Sequence, residues 1–505
     1  MEILSSTDYP SEPVVLEKLS IKFMKQSRFV PLSMDGGTIK IAMADPDDFW
    51  TIDALKQGLG VDVEVAAGNE TDVAEAVERL YGAGTQSLET IIEEAGRDIF
   101  EISGTGKEDV AQLRDLASEA PIIRLVNRVI LKAIEFRASD IHFEPFEDQF
   151  KVRFRVDGVL HEIESPPKRL QAAIISRIKI MADLDIAERR LPQDGRIKLK
   201  IASRDVDFRI STIPTLFGES LVMRVLDRGM LILELEKIGF PPRLLEQYMT
   251  LIHQPYGMIL VTGPTGSGKT STLYTSLAKI NAPENKIITL EDPVEYYLSG
   301  VNQIQVNRKI GMTFAGGLRA IVRQDPDIIL VGEIRDRETA EIGIQSALTG
   351  HLLFSTLHTN DAVGAISRLL DMGVEGFLLS STLLGVLAQR LVRVICENCK
   401  EPVAPDEKHL SAMGLSEEDI EGVTFYNGKG CESCRHTGFS GRTALFEYLA
   451  VDADIRNEIS KKSDSEKIKT IALEKGLKTL RQNGWEKVKD GVTTLSEVLR
   501  VTLEK

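Results

Sequence analysis

Residues 263–270 read Gly-Pro-Thr-Gly-Ser-Gly-Lys-Thr, and Ser271 follows them. The run before them, Met258-Ile259-Leu260-Val261-Thr262, is apolar and β-prone. The run from Thr270 to Ile280 has no glycine or proline and reads as a helix. A strand that turns through glycines directly into a helix leaves few folds open. Gly263, Gly266 and Gly268 let backbone N–H groups converge, and the helix N-terminus adds partial positive charge at the same point. Gly263, Pro264, Thr265, Gly266, Ser267, Gly268, Lys269, Thr270 and Ser271 are therefore the candidate polyphosphate cradle. Lys269 reaches the β- and γ-phosphates and the Thr270 hydroxyl ligates Mg²⁺. The expected ligand is a nucleoside triphosphate.

Apolar runs and their sequels extend this site. In open α/β sheets ligands sit beyond the carboxyl ends of the strands. Ile287–Leu290 is followed by Glu291, Asp292 and Glu295; Ile328–Val331 by Glu333; Leu352–Leu357 by His358. Glu291, Asp292 and Glu295 are candidates to orient or deprotonate an attacking water. Glu333 is placed to hold magnesium with Thr270, directly or through water, and His358 to sense a γ-phosphate. Asp327 precedes its strand, so six residues at about 3.3 Å each put it roughly 20 Å from Glu333 and exclude it from that metal. Phosphoryl transfer also needs positive charge on the γ-phosphate. The candidates are Arg209 and Arg224, on strands of a preceding domain, and Arg319 and Arg323, one helical turn apart before the Glu333 strand.

At 505 residues the chain predicts two to four domains. Residues 1–81 read as a small α/β domain, with strands near 29–32, 38–43 and 61–66 and helices near 49–58 and 70–81. Residues 82–120, acidic and glycine-punctuated, read as a flexible linker. Residues 121–230 read as an α+β domain, opened by a helix at Pro121. It contains a hairpin at Asp157-Gly158, a dipeptide favoured in two-residue turns. From 231 to 505 strands and helices alternate, predicting α/β architecture with a parallel sheet covered on both faces. Residues 444–505 read as C-terminal helices. The net charge of −15 argues against a nucleic-acid partner. No signal peptide or membrane-spanning run is evident, and Phe377 to Val392 is broken by Ser380, Ser381, Gly385, Gln389 and Arg390. The expected location is the cytoplasm, with membrane contact only through a partner.

All four cysteines fall in two C-x-x-C pairs, Cys396/Cys399 and Cys431/Cys434. Two pairs with none left over predict one tetrahedral, structural Zn²⁺ site in an insert over 396–434. Four protein ligands leave such an ion no open position for catalysis.

From about residue 120 to 505 the chain resembles the secretion ATPases, ring-shaped motors of type II secretion and type IV pili. Thr289-Leu-Glu-Asp-Pro-Val-Glu-Tyr296 resembles the family's Asp box, and Ile329-Leu-Val-Gly-Glu-Ile-Arg-Asp336 its Walker B segment. Thr349-Gly-His-Leu-Leu-Phe-Ser-Thr-Leu-His-Thr359 is similar to its His box. The resemblance implies a RecA-like P-loop ATPase domain, a PAS-like domain before it, and a homohexamer. It implies that Glu295 acts on the water, Glu333 on the metal, and His351 and His358 in the His box. It also implies that Arg209 and Arg224 reach nucleotide across a domain or subunit boundary, assisted by Arg319 and Arg323. The tetracysteine insert and N-terminal region point away from retraction motors. Arg368 to Arg390 and the Gly491–Thr502 ending are most similar to the type II secretion branch, whereas Asp207–Glu219 has pilus-extension character. Residues 1–81 resemble the family's N-terminal domain loosely. The longer Arg- and Gly-containing motif with which some relatives bind a cyclic dinucleotide is not found, so no such binding is expected, and the domain is expected to dock on an inner-membrane secretion-platform protein. A nucleotide-gated scaffold and a nucleic-acid translocase are the competing readings.

Overall fold

In a computed structural model, the structure describes residues 9–10, 14, 21–35, 37–81, 92, 110–163, 165–201, 204–227 and 234–503. The chain divides into two compact units, Met1–Asp227 and Arg228–Lys505.

The first unit holds two separate cores. In the N-terminal one, strands Phe29–Asp35, Thr38–Met43 and Asp62–Ala67 form a sheet with helices Phe49–Leu59 and Glu70–Tyr81. Asp48 caps the first of these helices, its carboxylate accepting from Thr51 N at 3.2 Å, and Asn69 accepts from Thr71 N at 3.0 Å before the second. Such caps satisfy amide groups that a helix start leaves unpaired.

The second core lies under a six-stranded antiparallel sheet. Its Phe150–Val156/Val159–Glu162 hairpin turns at Asp157 and Gly158, both in the left-handed region (φ 48° and 84°). The expected linker is shorter than read. Residues 110–118 form a helix in which Leu113 and Ala117 are buried, and the next helix starts at Ala120 rather than Pro121. A low average hydropathy hid these two apolar positions, four apart on one helix face. Most of residues 82–109 lie outside the described residues.

In the second unit a seven-stranded sheet carries the phosphate loop. Strand Gly257–Thr262 is buried along its whole length. Its alternating side chains serve two cores: Met258 and Leu260 pack on one face of the sheet, Ile259 and Val261 on the other. Helices Pro242–Ile252 and Lys269–Ile280 contribute Tyr248, Leu273 and Leu277 to one core. Helices Phe314–Ile321, Arg337–Leu348 and Ala362–Asp371 contribute Leu318, Ile344 and Ile366 to the other. The sheet is parallel except for its last strand. Phe439–Ala450 pairs antiparallel with Leu383–Ile395, and the cysteine-bearing insert is the excursion between them. The expected helical stretch from 444 is corrected accordingly: residues 444–450 finish that strand, and the helices begin at Ala453.

Candidate active site

Parallel register decides which residues meet. Thr262 pairs with Leu357 on one side and Ala388 on the other, and Val331 pairs with Ser355 and Leu290. The residues that follow these positions, Gly263, His358, Gln389, Glu333 and Glu291, therefore share one edge of the sheet. Gly263, Gly266 and Gly268 have φ of 147°, 78° and 88°, a backbone path that side chains disfavour, and helix Lys269–Ile280 starts directly behind them.

Lys269 is 9% exposed, and its Nζ donates to the carbonyls of Gly263 (2.7 Å) and Pro264 (3.0 Å). Burial pushes its pKa from 10.5 down to about 8; Glu333 opposes the fall and Arg390 adds to it. Glu333 accepts from Arg335 and lies 3.6 Å from His358 Nε2. Burial and the nearby Lys269 charge lower the His358 pKa, Glu333 opposing, which favours the neutral ring. Thr262 Oγ1 fixes the turn beyond His358, bonding Thr359 Oγ1 at 2.7 Å and accepting from Thr359 N at 3.0 Å. The arrangement brings a glycine-rich cradle, a cation, a carboxylate and an imidazole to one edge, the set needed to hold a nucleotide and act on its terminal phosphate.

Glu291 does not serve as expected. It is 5% exposed and accepts from Thr289 Oγ1 at 2.6 Å and from the Tyr274 hydroxyl. Burial raises its pKa, opposed by hydrogen bonds from Thr289, Tyr274 and Gln303. It is a structural anchor: Tyr274 OH in turn accepts from Glu295 N at 3.3 Å, steadying the segment that carries Glu295. Glu295 is half-buried beyond the strand end, and Asp292 is exposed, 3.7 Å from Arg308.

His351 is also corrected. It stands before strand Leu352–Leu357, at the opposite edge, where its carbonyl accepts from Gly257 N (3.1 Å) and its Nδ1 contacts Ser346 O (2.8 Å). About 20 Å of strand separates it from His358, so within this chain it does not reach the phosphate loop. Asp327 lies at that same far edge, accepting from Lys286 N at 2.7 Å. Arg319 pairs with Glu338 on helix Arg337–Leu348. Arg323 is exposed in a 3₁₀ turn, because the α-helix ends at Ile321; the shared face expected from α-helical spacing is lost. Arg209 and Arg224 belong to the other unit. They sit opposite each other on neighbouring strands, and Arg224 Nε donates to Asp140 at 2.9 Å.

Sequence reasoning missed Gln389, Arg390 and Asn360. Arg390 Nη2 donates to Asn360 O at 2.7 Å, joining strand Leu383–Ile395 to the loop that follows His358. The signal was there: Gln389 and Arg390 interrupt an apolar run, but they were read only as evidence against a membrane span.

The four cysteines cluster as the spacing predicts. Their sulfurs lie within 4.8 Å of one another, with Cys396–Cys431 at 3.9 Å, Cys399–Cys434 at 3.7 Å and Cys431–Cys434 at 3.8 Å, and none is in a disulfide. A tetrahedron with metal–sulfur bonds of about 2.3 Å has edges of about 3.8 Å. Gly430 N, Cys431 N and Gly438 N point at these sulfurs from 3.2–3.3 Å, as thiolates require.

Fold and site together define a P-loop ATPase with a parallel central sheet. Residues 115–500 match the family described as type II/IV secretion system protein, and the chain belongs to that family. Residues 1–87 match the MshEN domain. The chain is 49% identical over 487 residues to type II secretion system protein E of Xanthomonas campestris pv. campestris, covering 96% of this chain and 85% of that one. It is 45% identical over 494 residues to the type IV pilus assembly ATPase PilB of Myxococcus xanthus, covering 97% and 87%. The crystal structure of the pilus retraction motor PilT with bound ADP aligns with a TM-score of 0.51 at 28% identity, over 74% of this chain and 96% of that one. Among the described residues no helix is long and apolar enough to cross a membrane.

Proposed function

We propose that this chain is the ATP-hydrolysing motor of a type II secretion system, driving pseudopilus assembly and protein export. The observation that carries the proposal is the convergence of Lys269, Glu333 and His358 on one sheet edge, in a chain that matches a type II secretion protein E almost end to end. In this reading Glu295 orients or deprotonates the attacking water, and Lys269 holds the β- and γ-phosphates. Thr270 and Glu333 are the residues that would hold Mg²⁺, and a half-buried carboxylate with an exposed hydroxyl suits a hard, oxygen-seeking cation. Such an ion, when bound, offsets the negative charge of the phosphates. His358, its proton affinity lowered by burial and by Lys269, is able to donate to or accept from the γ-phosphate end of the nucleotide.

The motor is a cytoplasmic homohexamer in which Arg209 and Arg224, with Arg319 and Arg323, supply positive charge at a domain or subunit boundary. Residues 1–81 dock on an inner-membrane platform protein, so membrane contact is indirect. The cysteine cluster holds a structural Zn²⁺, supported by sulfur spacings that fit its tetrahedron.

The test is turnover by the purified hexamer. Lys269→Ala and Glu295→Ala are each expected to remove hydrolysis about a hundredfold or more; parental rates in both would refute the site. The similarity to PilB carries a second reading, pilus extension. Deleting the gene separates them: loss of exported proteins with pili intact supports secretion, and the converse supports extension.

A further inference from the structure

Gln389 is fully buried one residue past the point where its strand pairs with the strand of the phosphate loop. Its Oε1 accepts a hydrogen bond from Thr272 Oγ1, on the helix behind the loop, at 2.7 Å. A Cβ placed on Gly268 would stand 2.7 Å from its Nε2, and one placed on Gly263 would stand 2.5 Å from its backbone oxygen. One residue thus packs on the first and last glycines of the cradle and on its helix. These contacts give a second reason for glycine at 263 and 268, besides their positive φ.

The Nε2 group has no hydrogen-bond acceptor among the described residues. Apart from Arg390, its strand neighbours Leu387, Ala388, Leu391 and Val392 are apolar. A leucine at 389 would fill a similar space without an unpaired donor, and a buried unpaired N–H is costly. Such groups in native proteins call for an explanation, and a functional role is one. The loop itself offers the partner. Lys269 Nζ is bonded to the carbonyls of Gly263 and Pro264. When a lysine in this position turns to a phosphate, those carbonyls lose their donor.

We propose that Gln389 is a positioning residue for the phosphate loop: its Nε2 donates to a loop carbonyl that Lys269 releases on turning to bound nucleotide, and so stabilises the loaded form of the loop. No bond is made or broken in this exchange beyond hydrogen bonds. The proposal rests on nucleotide binding by this loop, which titration of the parent chain with ADP tests separately.

Gln389→Met is close in length and volume, removes the Nε2 donor without adding charge and leaves Thr272 a weak sulfur acceptor; Gln389→Leu removes both donor and acceptor. The full chain is assayed for affinity toward a fluorescent ADP, for kcat and KM with ATP, and for ligand-free Tm. The expected result is a loss of ADP affinity and a rise in KM of about tenfold in both variants, corresponding to one lost buried hydrogen bond. The ligand-free Tm of Gln389→Met should stay within about 2 °C of the parent, and kcat should change less than KM. Parental affinity in Gln389→Met overturns the proposal. So does an affinity loss matched by a large fall in ligand-free Tm, which would mark Gln389 as a packing residue only. If Gln389→Leu fails to fold, Gln389→Met alone decides.

Discussion

Raising the pH from 7 to 9 should weaken nucleotide binding about tenfold, and Lys269 is the reason. Its ammonium is buried behind the glycine turns, which lowers its pKa from 10.5 to about 8. In the free chain the group is then about nine-tenths charged at pH 7 and about one-tenth charged at pH 9. Phosphate oxygens beside the ammonium favour the charged form and move the pKa back up, so binding above pH 8 takes up a proton. The sign follows: affinity is full below about pH 7 and falls as pH rises through 8. It levels off once the pH passes the pKa of the bound form. Tenfold corresponds to about 1.4 kcal/mol. ADP adds little slope of its own, since the last phosphate proton leaves near a pKa of about 6. The assay is titration of a fluorescent ADP at fixed ionic strength across this range, with Tm followed in parallel. Lys269→Arg is the control, because a guanidinium does not titrate here; its affinity, whatever its absolute value, should be flat. A flat profile in the parent, or the same slope in the arginine variant, would refute the reasoning.

Three further outcomes follow from the geometry. Asp327→Ala should leave turnover within about twofold of the parent, because the residue lies a strand's length from the loop, while losing about 1 kcal/mol of stability with its bond to Lys286 N, read from denaturant midpoints. His358→Ala should lower kcat by at least about tenfold, whereas His351→Ala should act mainly on Tm; equal loss of kcat in both, at unchanged Tm, would show that the chain's own sheet does not set their roles. Cys396→Ser should cut zinc from about one atom per chain to well below it, and should expose the 396–434 insert to proteolysis before the sheet; metal content unchanged by the substitution would contradict the four-sulfur site.

Much of this was legible in the chain before any coordinates. The strand, glycine turn and helix around Lys269 were readable because each follows a local preference: a buried strand is a short apolar run, a turn of positive φ favours glycine, and a run without glycine or proline favours a helix. The cysteine cluster was readable because ligand type and spacing carry the tetrahedral geometry almost alone. The exclusion of Asp327 was readable because strand rise is fixed. Glu291 was not readable, since whether a carboxylate at a strand end faces the ligand or turns back to Tyr274 and Thr289 depends on side-chain packing from a distant helix. His351 misled because seven residues separate it from His358, and resemblance put both in one box without saying that a strand runs between them. The helix at 110–118 was lost in an acidic, glycine-punctuated stretch whose few apolar positions matter only once a core receives them.

The sequence by itself determined the chemistry this protein carries: a phosphate cradle with Lys269 and Thr270, acidic residues and a histidine following apolar strands, and paired cysteines. These are properties of short segments, set by backbone conformation and residue type. Only the tertiary structure decided which of them meet. Parallel register put Glu333 and His358 beside Lys269 and sent His351 to the other edge. The strand next to the loop brought in Gln389 and Arg390 from more than a hundred residues away. Burial then changed what the groups are, lowering the proton affinity of Lys269 and His358 and turning Glu291 into a structural anchor. Register and burial are properties of long-range packing, which no single segment of the chain contains.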